Sequence, residues 1–247
     1  MENSQKVIPS DFEEIKDDDL EDEETISKIY KSENYDKIMP NLIKTINNNY
    51  PEKTKDTESS GEYPYFSPKH PVKYLPRLEE PSEILNDAQL KEIHIHLPYF
   101  HQYVSLNKLY SISIDGTSIK TLYKKCEGIK NSILVVRDGD GNVFGAYVSE
   151  VLYPSAMFCG SPDSFLFTFY TGNKITIYKS TEINDHYVYC DNEQICFGNT
   201  DDDFSLCIQN NLTSGYSKET TTYNNQPLND KDSFTVAKLE VWGFKER

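Results

Sequence analysis

The stretch "SILVVRDGDGNVFGAYVSE", Ser132 to Glu150, decides how the rest of the chain is read. Two apolar runs flank Asp138-Gly139-Asp140-Gly141, which resembles both a calcium loop and a tight turn. A calcium loop of the helix–loop–helix kind needs oxygen ligands at its first, third and fifth positions. It also needs Gly at the sixth and a bidentate Glu at the twelfth. With Asp138 first, Asp140 and Asn142 fit, but Val143 stands at the sixth position and Ser149 at the twelfth. The flanks show no helical period. The stretch therefore reads as a hairpin: Asp opens the turn, Gly takes its positive φ, and the arms Ile133–Val136 and Val143–Val148 are apolar enough to be buried.

Working outward, the same alternation recurs. In "SFLFTFY", Phe165, Phe167 and Phe169 share one face, and Leu166, Thr168 and Tyr170 the other. Strands are expected at 132–137, 143–149, 164–170, 174–179, 186–190, 194–198, 203–209, 220–223 and 233–244. Upstream, "LNKLYSISI" alternates toward a strand ending at Asp115-Gly116. Two helices precede the hairpin. One carries Leu90, Ile93 and Leu97 at helical spacing after Ile84 and Leu85, and Pro98 stops it. The other opens on a Thr or Ser cap, puts Ile119, Leu122, Tyr123 and Cys126 on one face, and closes at Gly128 in the left-handed conformation. Many short strands with few helices predict an α+β fold, a two-sheet antiparallel β-sandwich flanked by a few helices. The last strand carries a phase slip. Phe234 and Val236 share one face, Leu239 and Val241 fall on the other, and Trp242 and Phe244 return to the first. Either a bulge sits near Ala237-Lys238 or both faces are buried; a central strand covered on both sides is the favoured reading.

The chain has 247 residues, room for one ordinary domain plus a tail. Residues 1–74 form the tail and linker, and 75–247 the domain. From Asp11 to Glu24, ten of fourteen residues are acidic, so this segment repels itself and is expected to be disordered. Pro40 to Asn47 suits a short helix with Leu42, Ile43 and Ile46 on one side. The formal charge of −15 argues against nucleic acid or an anionic membrane surface as main partner. No apolar run approaches the ~20 residues of a membrane span. The acidic N-terminus is the reverse of a mitochondrial presequence. Five cysteines (Cys126, Cys159, Cys190, Cys196 and Cys207) lack CxxC spacing, are odd in number and follow no secretory leader. They read as buried, reduced thiols of an intracellular protein.

Chemistry is sparsely signalled. Neither a GxSxG elbow, a P-loop nor a dinucleotide fingerprint occurs. His94 and His96 are two apart on a helix and point apart, so a shared metal is disfavoured, and no cofactor is expected. Cys196 and Cys207 lie in strands and read as inert. Cys159, in "FCGSPDS", is the thiol expected to be exposed, though no Lys, Arg or His stands near it in sequence. Glu240 reads as a structural carboxylate, and Gly116, Gly145, Trp242 and Gly243 as structural positions. With no catalytic constellation, specificity is expected in loops around Phe158–Ser164, Gly198–Asp203 and Gly215–Asn225. The candidate residues there are Cys159, Gly160, Ser161, Asp201, Asp202, Asp203, Gly215, Ser217 and Tyr223.

Five pieces line up: "GTSIKTLYKKCEG", "SILVVRDGDGNVFGAYVSE", "FCGSPDSFLFTF", "NLTSGYSKETTTYNNQPL" and "FTVAKLEVWGF". In this order and spacing, from about Glu83 to Phe244, they resemble the TLDc domain of the oxidation-resistance protein family. The resemblance implies a β-sandwich flanked by helices in an intracellular eukaryotic protein linked to resistance to oxidative stress. It implies a partner, the cytosolic sector of the vacuolar proton-pumping ATPase, which some members restrain or disassemble. The implied location is the cytoplasm, peripheral at the vacuolar or lysosomal membrane through that partner, with mitochondrion or nucleus as alternatives; the chain is read as a monomer. Where the family commonly has a glycine run, "CFGNTDDDFSLCI" keeps Gly198 and sets Asp201, Asp202 and Asp203, placing charge at that rim. Two other function classes are weighed against a non-catalytic binding module. One is a cysteine-based, peroxide-scavenging redox protein, and the other a hydrolase within the sandwich.

Overall fold

The computed structural model describes residues 77–98, 101–102, 104–201, 203–231 and 233–245. The whole 1–74 tail and linker, including the acidic run and the 40–47 segment with Leu42, Ile43 and Ile46, and also Asp202 lie outside the described residues. Within them the chain runs α1 (Asp87–His94), β1 (Leu106–Ser111), α2 (Ile112–Asp115), α3 (Ile119–Lys125), β2 (Ser132–Asp138) and β3 (Val143–Val148). It continues through β4 (Phe158–Cys159), β5 (Phe165–Thr171), β6 (Lys174–Lys179), β7 (Val188–Cys190), β8 (Gln194–Phe197), β9 (Leu206–Gln209), β10 (Ser214–Tyr216) and β11 (Ser233–Phe244).

The hairpin is a turn and not a cation loop. Asp138 is buried, and its Oδ1 accepts the backbone N–H groups of Asp140 and Asn142 at 3.0 and 2.8 Å. Its Oδ2 accepts the Asn142 amide at 2.8 Å, so the turn itself uses both oxygens. The arms pair in register from Ser132↔Val148 to Arg137↔Val143. All six residues of β3 are buried because β2 and β5 flank it in the sheet. Gly145 is required there: a Cβ would stand 2.0 Å from the Leu134 carbonyl oxygen.

All strand pairs are antiparallel and fall into two sheets that share β11. The first runs β6-β5-β3-β2-β11-β1, and the second β4-β7-β8-β9-β10 and the start of β11. One core lies between them: Leu134, Val136, Phe144, Leu166, Leu239 and Val241 meet Val188, Ile195, Phe197, Leu206, Ile208 and Phe234. A second core covers the other face of the first sheet, where Phe165, Phe167, Phe169, Trp242 and Phe244 meet Ile84, Leu90, Ile93 and Leu97 from the α1 region. The expected sandwich with flanking helices is therefore present.

β11 resolves its phase slip in both of the ways considered. The register shifts between Val236 and Lys238, which returns Leu239 and Val241 to the core that Phe234 and Val236 line. Beyond the shift, Leu239 to Phe244 are all buried.

Local signals explain the helices. Asn86 and Gln89 form a reciprocal capping box at α1, and Ser118 caps α3. Gly128 takes φ +73 after α3. Three expectations are corrected. The segment after Ser111 turns into α2 where a continued strand was expected, because the Ser111 side chain caps Ser113 and Asp115 accepts the Ser111 N–H at 3.0 Å. Residues 220–223 form a turn and not a strand, while 214–216, unassigned from the sequence, form β10. Cys196 and Cys207 are not separate thiols: they stand opposite each other on β8 and β9 with their sulfurs bonded.

Candidate functional site

At one end of the second sheet, four loops converge. They are the β4 region from Phe158 to Ser164, the approach to β7 from Ser180 to Tyr187, the β8–β9 connection from Gly198 to Ser205, and the segment following β10 from Ser217 to Asn225. Thr222, fully buried, is the hub of the last three. Its Oγ1 accepts the Asn199 N–H at 2.9 Å and donates to Asn184 Oδ1 at 2.8 Å. Around it, Thr181 N–H donates to the Thr222 carbonyl at 2.9 Å, and Thr200 and Thr221 hydroxyls pair at 2.9 Å. Ser205 and Thr220 hydroxyls pair at 2.5 Å. Short polar side chains can replace backbone partners in this way, giving a loop cluster a fixed shape without a ladder.

Aromatic rings tie the fourth loop in. Phe158 stacks on His186 with ring centroids 4.1 Å apart and lies 5.4 Å from the ring of Tyr189. Tyr189 in turn stacks on Phe204 at 6.0 Å. These side chains are half-buried, and Met157 and Ile183 beside them in the chain are exposed. Exposed carboxylates, Asp163, Asp185, Asp201 and Asp203, belong to the same loops. The end of the sheet thus combines a partly covered aromatic patch with negative charge.

The sequence candidates separate into two groups. Gly160, Asp201 and Asp203 are exposed, and Cys159 and Ser161 are half-buried. Gly215, Ser217 and Tyr223 are corrected: all three are buried and hold the loops from beneath. Gly215 packs on the Cys207 carbonyl and the Phe234 ring, so a side chain does not fit. Ser217 Oγ accepts the Leu228 N–H at 2.9 Å, and the Tyr223 hydroxyl donates to the Tyr187 carbonyl at 3.2 Å. Thr222, Asn184, His186 and Phe204 were missed. "TTTY" reads as a strand because Thr is β-branched, and nothing in sequence marks its hydroxyls as cross-loop bridges.

Cys159 is not an activated thiol. Burial, and then the nearby Glu150 charge, push its pKa up, so the thiol stays protonated and weakly nucleophilic at neutral pH. Cys126 and Cys190 are buried, and burial pushes Cys126 up to about 12. Among the described residues no group of three or more His, Cys, Asp or Glu could hold a metal. Burial drives His94 down to about 4, and His101 Nδ1 lies 3.0 Å from the Tyr147 hydroxyl. No helix among the described residues is long and apolar enough to cross a membrane.

Glu240 is an anchor for the lead-in to the domain. Buried in β11, it faces Lys108 Nζ at 3.1 Å and accepts hydrogen bonds from Ser82 Oγ (2.6 Å), the Glu83 N–H (2.9 Å) and Trp242 Nε1 (3.1 Å). Gly243 packs beside it on Leu109, and Gly116, which ends α2, accepts the Tyr110 hydroxyl.

The chain is similar over 192 residues to Oxidation resistance protein 1 of Rattus norvegicus, with 31% identity covering 77% of this chain and 23% of that protein. Similarity to the Homo sapiens protein of the same name is 33% identity over 70% of this chain and 20% of that one. Nuclear receptor coactivator 7 of Mus musculus is 31% identical over 69% of this chain and 18% of its own length. The chain therefore spans about a fifth of these relatives. Residues 78–245, the extent of both sheets and all four loops, match the TLDc domain, and the chain belongs to the TLDc domain family.

Proposed function

We propose that this chain is a non-catalytic binding module in oxidative-stress resistance. Its loop end docks on the cytosolic sector of the vacuolar proton-pumping ATPase and restrains or disassembles the pump. The chain then acts in the cytoplasm, held at the vacuolar or lysosomal membrane through that partner. The observation that carries the binding reading is the loop end itself. Three loops are locked by side-chain hydrogen bonds and the fourth by the stacking of Phe158 on His186, with Met157 and Ile183 exposed and Asp185, Asp201 and Asp203 displayed beside them. A rigid scaffold presenting apolar groups and predominantly negative charge suits recognition of a complementary surface. The stress role is supported by similarity to proteins named for oxidation resistance. A peroxide-scavenging role through Cys159 is disfavoured by the raised pKa of that thiol.

The test is binding of the purified protein to isolated cytosolic and membrane sectors of the ATPase, at low and high salt. The expected result is salt-sensitive binding to the cytosolic sector with reduced coupled activity. Absence of binding at any salt removes the pump as partner. Peroxide consumption that disappears in Cys159→Ser would favour the redox reading instead.

A further inference from the structure

On the outer face of the second sheet, β8 and β9 set Cys196 opposite Cys207, with Cα atoms 4.1 Å apart. The Asn210 N–H bonds the Glu193 carbonyl at 2.7 Å, and hydrogen-bonded pairs alternate along an antiparallel ladder. Counting inward, Cys196↔Cys207 is a non-hydrogen-bonded pair, the kind in which side chains approach most closely. Both residues are fully buried and their sulfurs are bonded. The site also suits the opened state: Gln194 Oε1 lies 3.3 Å from Cys207 Sγ, placed to accept a thiol proton. Cys196 stands just before the Gly198–Ser205 loop and Cys207 just after it, so the pair is a clasp at the base of the segment that displays Asp201 and Asp203.

We propose that Cys196 and Cys207 are a reversible dithiol–disulfide couple, closed by a peroxide and reopened by a small dithiol, that sets the mobility of the 198–205 loop. In closure, one sulfur takes an oxygen from hydrogen peroxide to become a sulfenic acid, and water leaves. The second sulfur attacks the first, the S–S bond forms, the S–O bond breaks and a second water departs. Two thiols lose two electrons and two protons, and one peroxide becomes two waters. Reopening takes two electrons from a dithiol, which leaves as its own cyclic disulfide. Because both sulfurs are buried, the reaction proceeds from transient separation of β8 and β9 and is slow without it. The inference does not depend on which partner docks at the loops.

The full chain is treated with hydrogen peroxide or with dithiothreitol, denatured, alkylated with N-ethylmaleimide and weighed intact. The chain has five cysteines, so the reduced form takes five adducts; the oxidised form, with Cys126, Cys159 and Cys190 free, takes three. Peptide mapping of the oxidised form should link Cys196 to Cys207. Amide exchange across 198–205 should be about tenfold slower in the oxidised form, since a cross-link at the base of a short loop removes much of its open ensemble. The double variant Cys196→Ser/Cys207→Ser should exchange identically under both treatments. Five adducts after peroxide, three adducts surviving dithiothreitol, a link joining Cys159 to Cys190, or equal exchange in the two wild-type states would each overturn the proposal.

Discussion

Strand β3 buries all six of its residues, whereas the segment from Ser180 to His186 buries none, yet both are held in fixed places. β3 is held by apolar cover on two faces, in cores that continue to Leu239 and Val241 on one side and Trp242 on the other. The 180–186 segment is held by Thr181 and Asn184 reaching across to residues 221 and 222. Burial is non-directional and large, while side-chain hydrogen bonds are directional and individually modest. The contrast separates work within one domain: the first sheet supplies stability, and the loop end of the second supplies a defined surface at little stabilising gain. Substitutions in the two regions should therefore differ in size and in what they disturb.

The largest effect is expected at Trp242, 1% exposed and hydrogen-bonded to Glu240. Trp242→Ala should cost about 3–5 kcal/mol in denaturant unfolding, the usual result of emptying a large aromatic site. A loss below about 1 kcal/mol would break the comparison, because the first sheet would no longer be the stability centre.

Next comes pH. Burial depresses His94 from 6.5 to about 4, so the folded state holds it neutral while the unfolded state protonates it near 6.5. In that window the unfolded chain binds more protons. Stability should be fully present above about pH 6.5 and fall by up to about 3 kcal/mol as pH drops toward 4. His94→Leu should flatten that part of the pH dependence of unfolding. An unchanged slope would place the acid sensitivity elsewhere.

How much of this was legible in the sequence follows the same division. The first sheet was readable because burial leaves a period: Phe165, Phe167 and Phe169 alternate, and all three lie in one core. The capping residue Ser118 acts through chain neighbours, so the start of α3 was visible too; the Asn86–Gln89 capping box at α1 is equally local but was not read. The phase of β11 was visible as a conflict, but only the cross-strand register and the burial of Leu239 to Phe244 show that a bulge and cover on both faces settle it together. The loop end was poorly legible. Thr222 bonds Asn199, 23 positions away, and Asn184, 38 positions away, and no local pattern encodes those contacts. Tyr223 and Ser217 were misplaced at the rim because Gly, Ser and Asn mark where loops occur and not which side chains turn inward. The Cys196–Cys207 pairing was missed for the same reason: it depends on register.

Thr222→Val probes the loop end directly. The methyl group keeps the volume, but the Asn199 N–H and Asn184 amide oxygen lose their partner. A buried group left unsatisfied costs about 1–3 kcal/mol, and partial exposure of both asparagines puts the expected loss near 1–2 kcal/mol. The sharper readout is local. Amide exchange should accelerate at residues 180–186 and 198–203 while β2 and β3 stay protected. Uniform acceleration would show that the two regions unfold as one unit.

The smallest effect on stability, and the most informative for function, is expected at the acidic rim. Asp201 has a backbone φ of +53, a conformation Asn tolerates well, so Asp201→Asn adds no backbone strain. Asp203 is held through its backbone, with Thr200 N–H donating to the Asp203 carbonyl at 3.1 Å, and Asp203→Asn leaves that bond intact. Both residues are exposed, so the double change should alter stability by no more than about 0.5 kcal/mol. Binding should respond differently. Exposed charges act across water, contribute about 0.2–1 kcal/mol each, and are screened beyond about 8 Å at physiological ionic strength. The double variant should therefore bind the pump's cytosolic sector a few-fold more weakly at low salt and converge with wild type at high salt. A fall in stability would mean the rim belongs to the framework and the division between the two regions is drawn in the wrong place. Affinity and salt dependence both unchanged would keep the division but move the contact to the aromatic patch of Phe158, Tyr189 and Phe204. Phe204→Ala should then weaken binding at every salt concentration.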